Sequence, residues 1–252
     1  FCAGCGRRNE KGLIMASILE ESGFNPGADL KIVGTNPIKH DGLDKVMGRA
    51  KFGADAFLPG MLVGKILRSP HAHANIKSID TSKAEALPGV KAVITSSDFP
   101  EKKAGTPPGD MTRNVMAREK ALYDGHPVAA VAATSEKIAK QALKLIEVDY
   151  EILPHVIDPV EAMKPDAPIL HDYLRTKGVE GAEDKQTNVT ERMVTQLGDI
   201  DAGFEEADVI VERSFDSKPM HQGYIEPQGC IADYSEDGQI EVWCCTQAPF
   251  VY

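Results

Sequence analysis

Residues 127–153 read PVAAVAATSEKIAKQALKLIEVDYEIL, and this stretch decides the fold class of the central part of the chain. Residues 127–133 are almost continuously apolar, which is typical of a strand buried on both faces. Ser135 is suited to capping a helix that follows it. The apolar face of that helix is formed by Ile138, Ala142, Leu145 and Ile146. With a further strand over 148–154, the stretch predicts a mixed α/β domain.

The same kinds of element are predicted upstream of this stretch. Strands are expected over 61–67, 75–80 and 90–95, and a short helix over 82–87 that Pro88 and Gly89 close. The segment 101–118 is rich in Lys, Pro and Gly and is predicted to be a loop.

The chain changes character downstream. Residues 161–188 combine prolines and glycines with many charges and are predicted to be a long connection. A helix is predicted over 199–206, a strand over 208–215, and a hairpin over 229–234 and 239–246. We therefore divide the chain into an N-terminal preface (1–36), a first domain (37–170) and a second domain (171–252).

Composition excludes several classes of protein. The chain has 252 residues, 42% of them hydrophobic and 26% charged, which is ordinary for a water-soluble globular protein. A formal net charge of -10 argues against nucleic acid or an anionic membrane surface as the main partner. No apolar run approaches the length of a membrane-spanning helix. The five cysteines lie near the two ends and do not form a secreted disulfide framework, so we expect a cytoplasmic protein.

Three blocks of sequence resemble one enzyme family. They are DGLDKVMGRA (41–50) with RSPHAHA (68–74) and LPGVKAV (87–93), then DGHPVAAVA (124–132) with EVDYEILP (147–154), and last HQGYIEPQGCIA (221–232) with WCCTQAPF (243–250). In this order the blocks resemble the molybdenum-binding large subunit of the xanthine dehydrogenase / aldehyde oxidase family, the molybdenum hydroxylases.

The resemblance implies both a fold and an activity. It implies an α+β protein, with an α/β-hammerhead domain followed by the start of a molybdopterin-binding domain. It also implies an oxidoreductase that acts on an aldehyde or N-heteroaromatic-type substrate with oxygen taken from water. The implied cofactors are molybdenum-molybdopterin, with or without a cytosine dinucleotide, and [2Fe-2S] and FAD on an iron-sulfur subunit and an FAD subunit in a higher oligomer.

The resemblance assigns a role to one residue of this sequence. Gln247 corresponds to the family's glutamine beside the molybdenum oxo group, and its amide has two N–H donors to offer. Without the resemblance, Gln247 would be a polar residue at a strand end. The family's catalytic residues are expected downstream, so this chain alone is predicted to be an inactive N-terminal part. The alternative is a non-catalytic hammerhead remnant that acts only as a subunit-contact module.

Other polar residues are better explained structurally than as ligands. Cys2 and Cys5 form a single C-x-x-C pair, and a metal site needs more ligands than that pair supplies. His71 and His73 have no neighbouring carboxylate or thiol in sequence to complete a ligand set. Glu226 is predicted to be a buried, hydrogen-bonded structural acid and not a catalytic base.

Overall fold

A computed structural model describes residues 31–32, 35–103, 106–178 and 185–246. The chain divides into two compact units, one spanning 57–222 and one formed by the segments on either side of it. The domain boundaries at 36/37 and 170/171 remain a prediction.

Two three-stranded sheets form the framework of the 57–222 unit. Its strands are β1 (Val63–Arg68), β2 (Ala74–Asp80), β3 (Val90–Thr95), β4 (Lys120–Ala121), β5 (Pro127–Ala133) and β6 (Glu147–Ile152). One sheet has the order β1-β5-β3 and the other β4-β2-β6, with every neighbouring pair antiparallel. The apolar strand β5 is the centre of its sheet, so both of its edges are paired. Its buried side chains are those of Val128, Ala129, Val131 and Ala133.

Helices are short in both units. They are α1 (Gly42–Val46), α2 (Ser82–Glu85), α3 (Pro107–Val115), α4 (Glu136–Leu143), α5 (Pro159–Ala162) and α6 (Ile200–Glu205), with 3-10 turns at Gly53–Asp55 and Ser96–Asp98. Ser135 caps α4 as predicted, because its hydroxyl accepts a hydrogen bond from the backbone N–H of Ile138 at 3.3 Å.

The core of the 57–222 unit lies between α4 and the sheet β1-β5-β3. Its buried members are mostly alanines, which let the helix approach the sheet closely: Ala84, Ala129, Val131, Ala133, Ala139, Ala142 and Ile146. The predicted apolar face of α4 is thus confirmed at Ala142, and Ile146 joins the same core just beyond the helix end.

The prediction of a loop over 101–118 is wrong for residues 107–115, which form α3. The Thr106 hydroxyl accepts a hydrogen bond from the N–H of Gly109 at 3.3 Å, and two prolines follow Thr106 in the first turn. Proline is tolerated there because first-turn N–H groups have no partner within the helix. The sequence Thr-Pro-Pro therefore marks a helix start, although its composition suggests a loop.

The predicted strand over 208–215 is also wrong, since these residues are not in a strand. Val209, Ile210 and Val211 are all exposed. A strand needs a partner for its backbone hydrogen bonds, and among the described residues none pairs with this segment. Alternating apolar residues are therefore not sufficient to predict a strand, because a strand also needs a neighbouring segment to pair with.

The second unit contains the predicted terminal hairpin. Its strands are β7 (Cys230–Tyr234) and β8 (Ile240–Cys244), joined by a turn in which Gly238 has a φ of 86°. The hairpin and the helix over 200–205 are confirmed, and the mixture of helices and antiparallel strands confirms the α+β class. Within the described ranges we find no helix both long and apolar enough to cross a membrane.

Candidate functional site

The hairpin β7–β8 leads to the residue predicted to contact the cofactor. Strand β8 ends at Cys244, and Thr246 is the last described residue. Gln247 lies outside the described residues, so its contact with a cofactor remains a prediction. What the structure does show is how the chain immediately before it is held.

Cys245 fixes the base of the hairpin. Its Sγ lies 3.4 Å from the backbone nitrogen of Gly229, which donates a hydrogen bond to it, and 3.7 Å from the carbonyl oxygens of Pro227 and Gly229. The thiol therefore bonds to the segment that enters β7, only two residues before Gln247. A small sulfur-containing side chain suits this place because it bonds weakly to several backbone groups at once.

Glu226 ties the same segment to the N-terminal part of its unit. Its carboxylate accepts a hydrogen bond from the backbone N–H of Gly53 at 3.1 Å. The pKa of Lys45 is raised mainly by its 2.6 Å hydrogen bond to Asp41, and the negative charge of Glu226 adds a smaller effect. The hydrogen bond agrees with the structural role predicted for Glu226, although the side chain is only partly buried.

His126, in the 57–222 unit, is fully buried, which the sequence reasoning missed. Its Nδ1 accepts a hydrogen bond from the N–H of Leu122 at 3.1 Å, and its Nε2 lies 2.8 Å from the carbonyl of Arg113. Because a carbonyl can only accept, the proton resides on Nε2 and the ring is neutral. Burial is the main cause that lowers the pKa of His126. The one signal in the sequence was its position directly before the buried strand β5.

His71 and His73 both have structural contacts. Nδ1 of His73 lies 2.8 Å from the carbonyl oxygen of Pro154, and the ring of His71 meets Tyr150 edge-on at 5.0 Å. Nε2 of His73 is buried without a hydrogen-bond partner. Across the described parts of the chain, no group of three or more His, Cys, Asp or Glu residues is arranged to hold a metal ion.

A small cleft near His171 and Tyr173 is the strongest alternative site in the 57–222 unit. Burial first, and then a hydrogen bond with Asp110, raise the pKa of Tyr173 to about 12, so the phenol stays protonated and cannot act as a base at neutral pH. The guanidinium of Arg118 donates to the carbonyls of Ser96 and Phe99 at 2.8 Å and 2.9 Å. The cleft volume of 130 Å³ is well below the roughly 300–1,000 Å³ of usual ligand pockets, so we interpret this cleft as structural.

The residues leading out of the hairpin fit an acceptor-rich cofactor. Residues 242–250 read VWCCTQAPF and carry no charge. Thr246 and Gln247 supply a hydroxyl and an amide, which are neutral donors suited to oxo, phosphate or pterin acceptors. The chemistry of this donor set therefore fits a molybdopterin group that is bound by hydrogen bonds.

Comparisons with known protein families agree with this arrangement. Residues 47–154 match the family described as "Aldehyde oxidase and xanthine dehydrogenase, a/b hammerhead domain". Residues 182–252 match the "Molybdopterin cofactor-binding domain". The two matches follow one another along the chain in the order predicted from sequence, and the second contains the whole hairpin and Gln247.

Individual relatives are similar over most of this chain. The carbon monoxide dehydrogenase large chain of Afipia carboxidovorans is 40% identical over 210 residues, which cover 81% of this chain and 26% of the relative. The nicotinate dehydrogenase large molybdopterin subunit of Eubacterium barkeri is 33% identical, covering 88% of this chain and 49% of the relative. The solved structure of reconstituted CO dehydrogenase from Oligotropha carboxidovorans superposes with a TM-score of 0.72 at 36% identity, covering 86% of this chain and 28% of that one.

The chain thus spans between about a quarter and a half of the length of these relatives. Its fold is the hammerhead domain followed by part of a molybdopterin-binding domain, as the sequence predicted. The chain belongs to the molybdenum-binding large-subunit family of the xanthine dehydrogenases and aldehyde oxidases, the molybdenum hydroxylases.

Proposed function

We propose that this chain is part of the catalytic subunit of a molybdenum hydroxylase. The whole protein would oxidise an aldehyde or N-heteroaromatic-type substrate with oxygen from water. The observation that carries the proposal is that the chain matches both the hammerhead family and the molybdopterin-binding family in sequence. The second match includes the hairpin that leads to Thr246 and Gln247. This match over 182–252 argues against a hammerhead module that only makes subunit contacts.

The proposed cofactor is molybdenum-molybdopterin, with or without a cytosine dinucleotide. When bound, it supplies two-electron oxidation and the transfer of a water-derived oxygen. This chain would help to bind and orient the cofactor. An N–H of Gln247 would donate a hydrogen bond to an acceptor of the cofactor, in a place where fixed donors stabilise developing negative charge. The contacts of Cys245 with Gly229 and of Glu226 with Gly53 hold the segment on which that donor depends.

The proposed partners are an iron-sulfur subunit with [2Fe-2S] clusters and an FAD subunit, which would accept the electrons within a higher oligomer in the cytoplasm. The names of the relatives support this, because "large chain" and "large molybdopterin subunit" describe members of multi-subunit enzymes.

A pair of variants in the full-length protein, produced with its partner subunits, tests the proposal. Gln247→Leu removes the proposed donor, whereas Gln239→Leu changes the same residue type at the exposed turn of the same hairpin. We expect Gln247→Leu to lower turnover by about 10²–10³-fold, the usual cost of one lost oxyanion donor. Gln239→Leu should stay close to the parent protein, since exposed substitutions usually change stability by only about 0.5 kcal/mol.

The measurements are molybdenum per protein molecule and turnover with a panel of aldehydes and N-heteroaromatic compounds. Equal turnover for the two variants would refute only the proposed role of Gln247. A correctly folded parent complex without molybdenum would refute the proposed function itself.

A further inference from the structure

Two thiols face each other across the terminal hairpin. In the antiparallel register of β7 and β8, Cys230 lies directly opposite Cys244. Residues directly opposite in an antiparallel pair project their side chains from the same face of the sheet. Both cysteines are free, and both are exposed within the part of the chain that the structure describes.

The hydrogen-bond pattern of the hairpin defines what kind of pair they form. The backbone N–H of Ser235 donates to the carbonyl of Gln239 at 3.0 Å, which makes this pair next to the turn a hydrogen-bonded one. Hydrogen-bonded and non-hydrogen-bonded pairs alternate along the ladder, and Cys230 lies five positions from Ser235 in an unbroken register. Cys230 and Cys244 therefore form a non-hydrogen-bonded pair.

This kind of pair has the right spacing for a disulfide. In non-hydrogen-bonded pairs the Cα atoms are about 4.5 Å apart and the side chains are at their closest. Disulfides span Cα separations of about 4.4–6.8 Å. The two thiols can thus bond without a change in the register of the hairpin.

The neighbouring thiol is placed differently. Cys245 lies just beyond Cys244, the last residue of β8. It is less exposed and contacts backbone groups of Pro227 and Gly229 instead. The hairpin therefore separates one facing pair from a third cysteine that has its own structural contacts.

We propose that Cys230 and Cys244 form a redox-sensitive dithiol, which a peroxide converts to a cross-strand disulfide. The thiolate of one cysteine attacks a peroxide oxygen, the O–O bond breaks, and a sulfenic acid and water form. The second thiol then displaces the hydroxyl as water, and the S–S bond forms. Two sulfurs lose one electron each, two thiol protons leave, and one hydrogen peroxide is reduced to two waters.

The disulfide would join the start of β7 to the end of β8, three residues before Gln247. A cytoplasmic protein would keep the pair reduced until an oxidant appears, so the bond would act as a reversible modification and not as a permanent structural link. The inference rests on the hairpin alone and needs neither the cofactor nor the proposed enzyme activity.

Peptide mapping of the full-length protein tests the proposal by following the peptides that contain Cys230, Cys244 and Cys245. The reduced, folded protein is treated with one equivalent of hydrogen peroxide, its remaining thiols are alkylated, and the disulfide-linked peptides are identified by mass spectrometry. Among the three hairpin cysteines we expect Cys230 and Cys244 to lose their thiols together, with the Cys230–Cys244 link as the main product, and the link to return to the dithiol with a reductant.

Variants at each cysteine provide the controls. Cys230→Ser should abolish the internal disulfide, whereas Cys245→Ser should leave the yield of the Cys230–Cys244 link unchanged. Oxidation in urea should give a mixture of pairings, which shows whether the fold selects the pair. Persistence of all three thiols, or a main product that contains Cys245 in the folded protein, would overturn the proposal; neither result bears on molybdenum binding.

Discussion

Replacing His126 with leucine should destabilise the 57–222 unit more than any exposed substitution in it. Leucine can occupy much of the space of the imidazole ring but cannot form hydrogen bonds with the backbone. The change therefore leaves the Leu122 N–H and the Arg113 carbonyl, which the ring bonds at 3.1 Å and 2.8 Å, without their partner. It also removes the stacking of the imidazole on Tyr123, whose ring centroid lies 4.4 Å away.

The size of the effect follows from these losses. An unsatisfied buried donor or acceptor costs about 1–3 kcal/mol, and the two backbone groups are only partly buried, so we expect a total loss of about 2–4 kcal/mol. His155→Leu is the matched control, because His155 is an exposed histidine of the same unit. Its effect should stay within about 0.5 kcal/mol.

Chemical unfolding followed by far-UV circular dichroism is the suitable assay. Fluorescence is less suitable because the single tryptophan, Trp243, lies in the hairpin of the other unit. If His126→Leu loses no more free energy of unfolding than His155→Leu, then the buried hydrogen bonds of His126 do not stabilise the fold as we argue.

Three further predictions follow from the same unit. Gly89→Ala should lower the free energy of unfolding more than Gly125→Ala does. Both glycines have a positive φ (93° and 86°), which costs alanine about 1–2 kcal/mol at either position. A Cβ at position 89 would in addition lie 2.7 Å from Cδ1 of Ile138, whereas a Cβ at position 125 would meet nothing within 4 Å. Equal losses would show that the close approach is relieved without cost. Asn188→Ala should cost about 1–3 kcal/mol, because its side chain bonds the carbonyls of Ala162 and Pro168 and the N–H of Leu170, and faster proteolysis within 161–188 would report the loss. The free energy of unfolding should fall as the pH drops below about 6.5, because burial lowers the pKa values of His126 and His171 in the folded state and the unfolded chain therefore takes up protons first. The slope is at most about 1.4 kcal/mol per pH unit for each histidine. A His126→Leu variant with an unchanged slope would contradict this prediction.

Sequence periodicity predicted the elements that local residues determine. The apolar run of β5, the cap at Ser135 and the amphipathic α4 each depend on a contiguous pattern, and all three are present. The hairpin was equally predictable, because its turn contains Ser235 and Gly238 between two short strand-forming segments.

Features that depend on distant partners were harder to predict. The segment 208–215 has the pattern of a strand, but pairing is a property of another segment and cannot be read from its own residues. The helix α3 was hidden by its prolines, which are unfavourable in the middle of a helix but acceptable in its first turn.

The candidate site shows the same division. Gln247 was found through the resemblance to a family, not through a physical pattern, and its place in the structure lies outside the described residues. The hydrogen bond of Glu226 with Gly53 joins residues far apart in sequence, and the strand register pairs Cys230 with Cys244 across the hairpin, so only the folded chain reveals them. His126 looked unremarkable in sequence because its two partners, Leu122 and Arg113, are backbone groups.

Turnover in oxygen-18-labelled water tests the central claim most directly. The full-length protein, purified with its partner subunits and shown to contain molybdenum, would be supplied with an aldehyde or N-heteroaromatic substrate under unlabelled dioxygen. The proposed function predicts that the new oxygen atom of the product carries the label from water. Product that takes its oxygen from dioxygen, or a molybdenum-containing complex that oxidises neither substrate class, would contradict it.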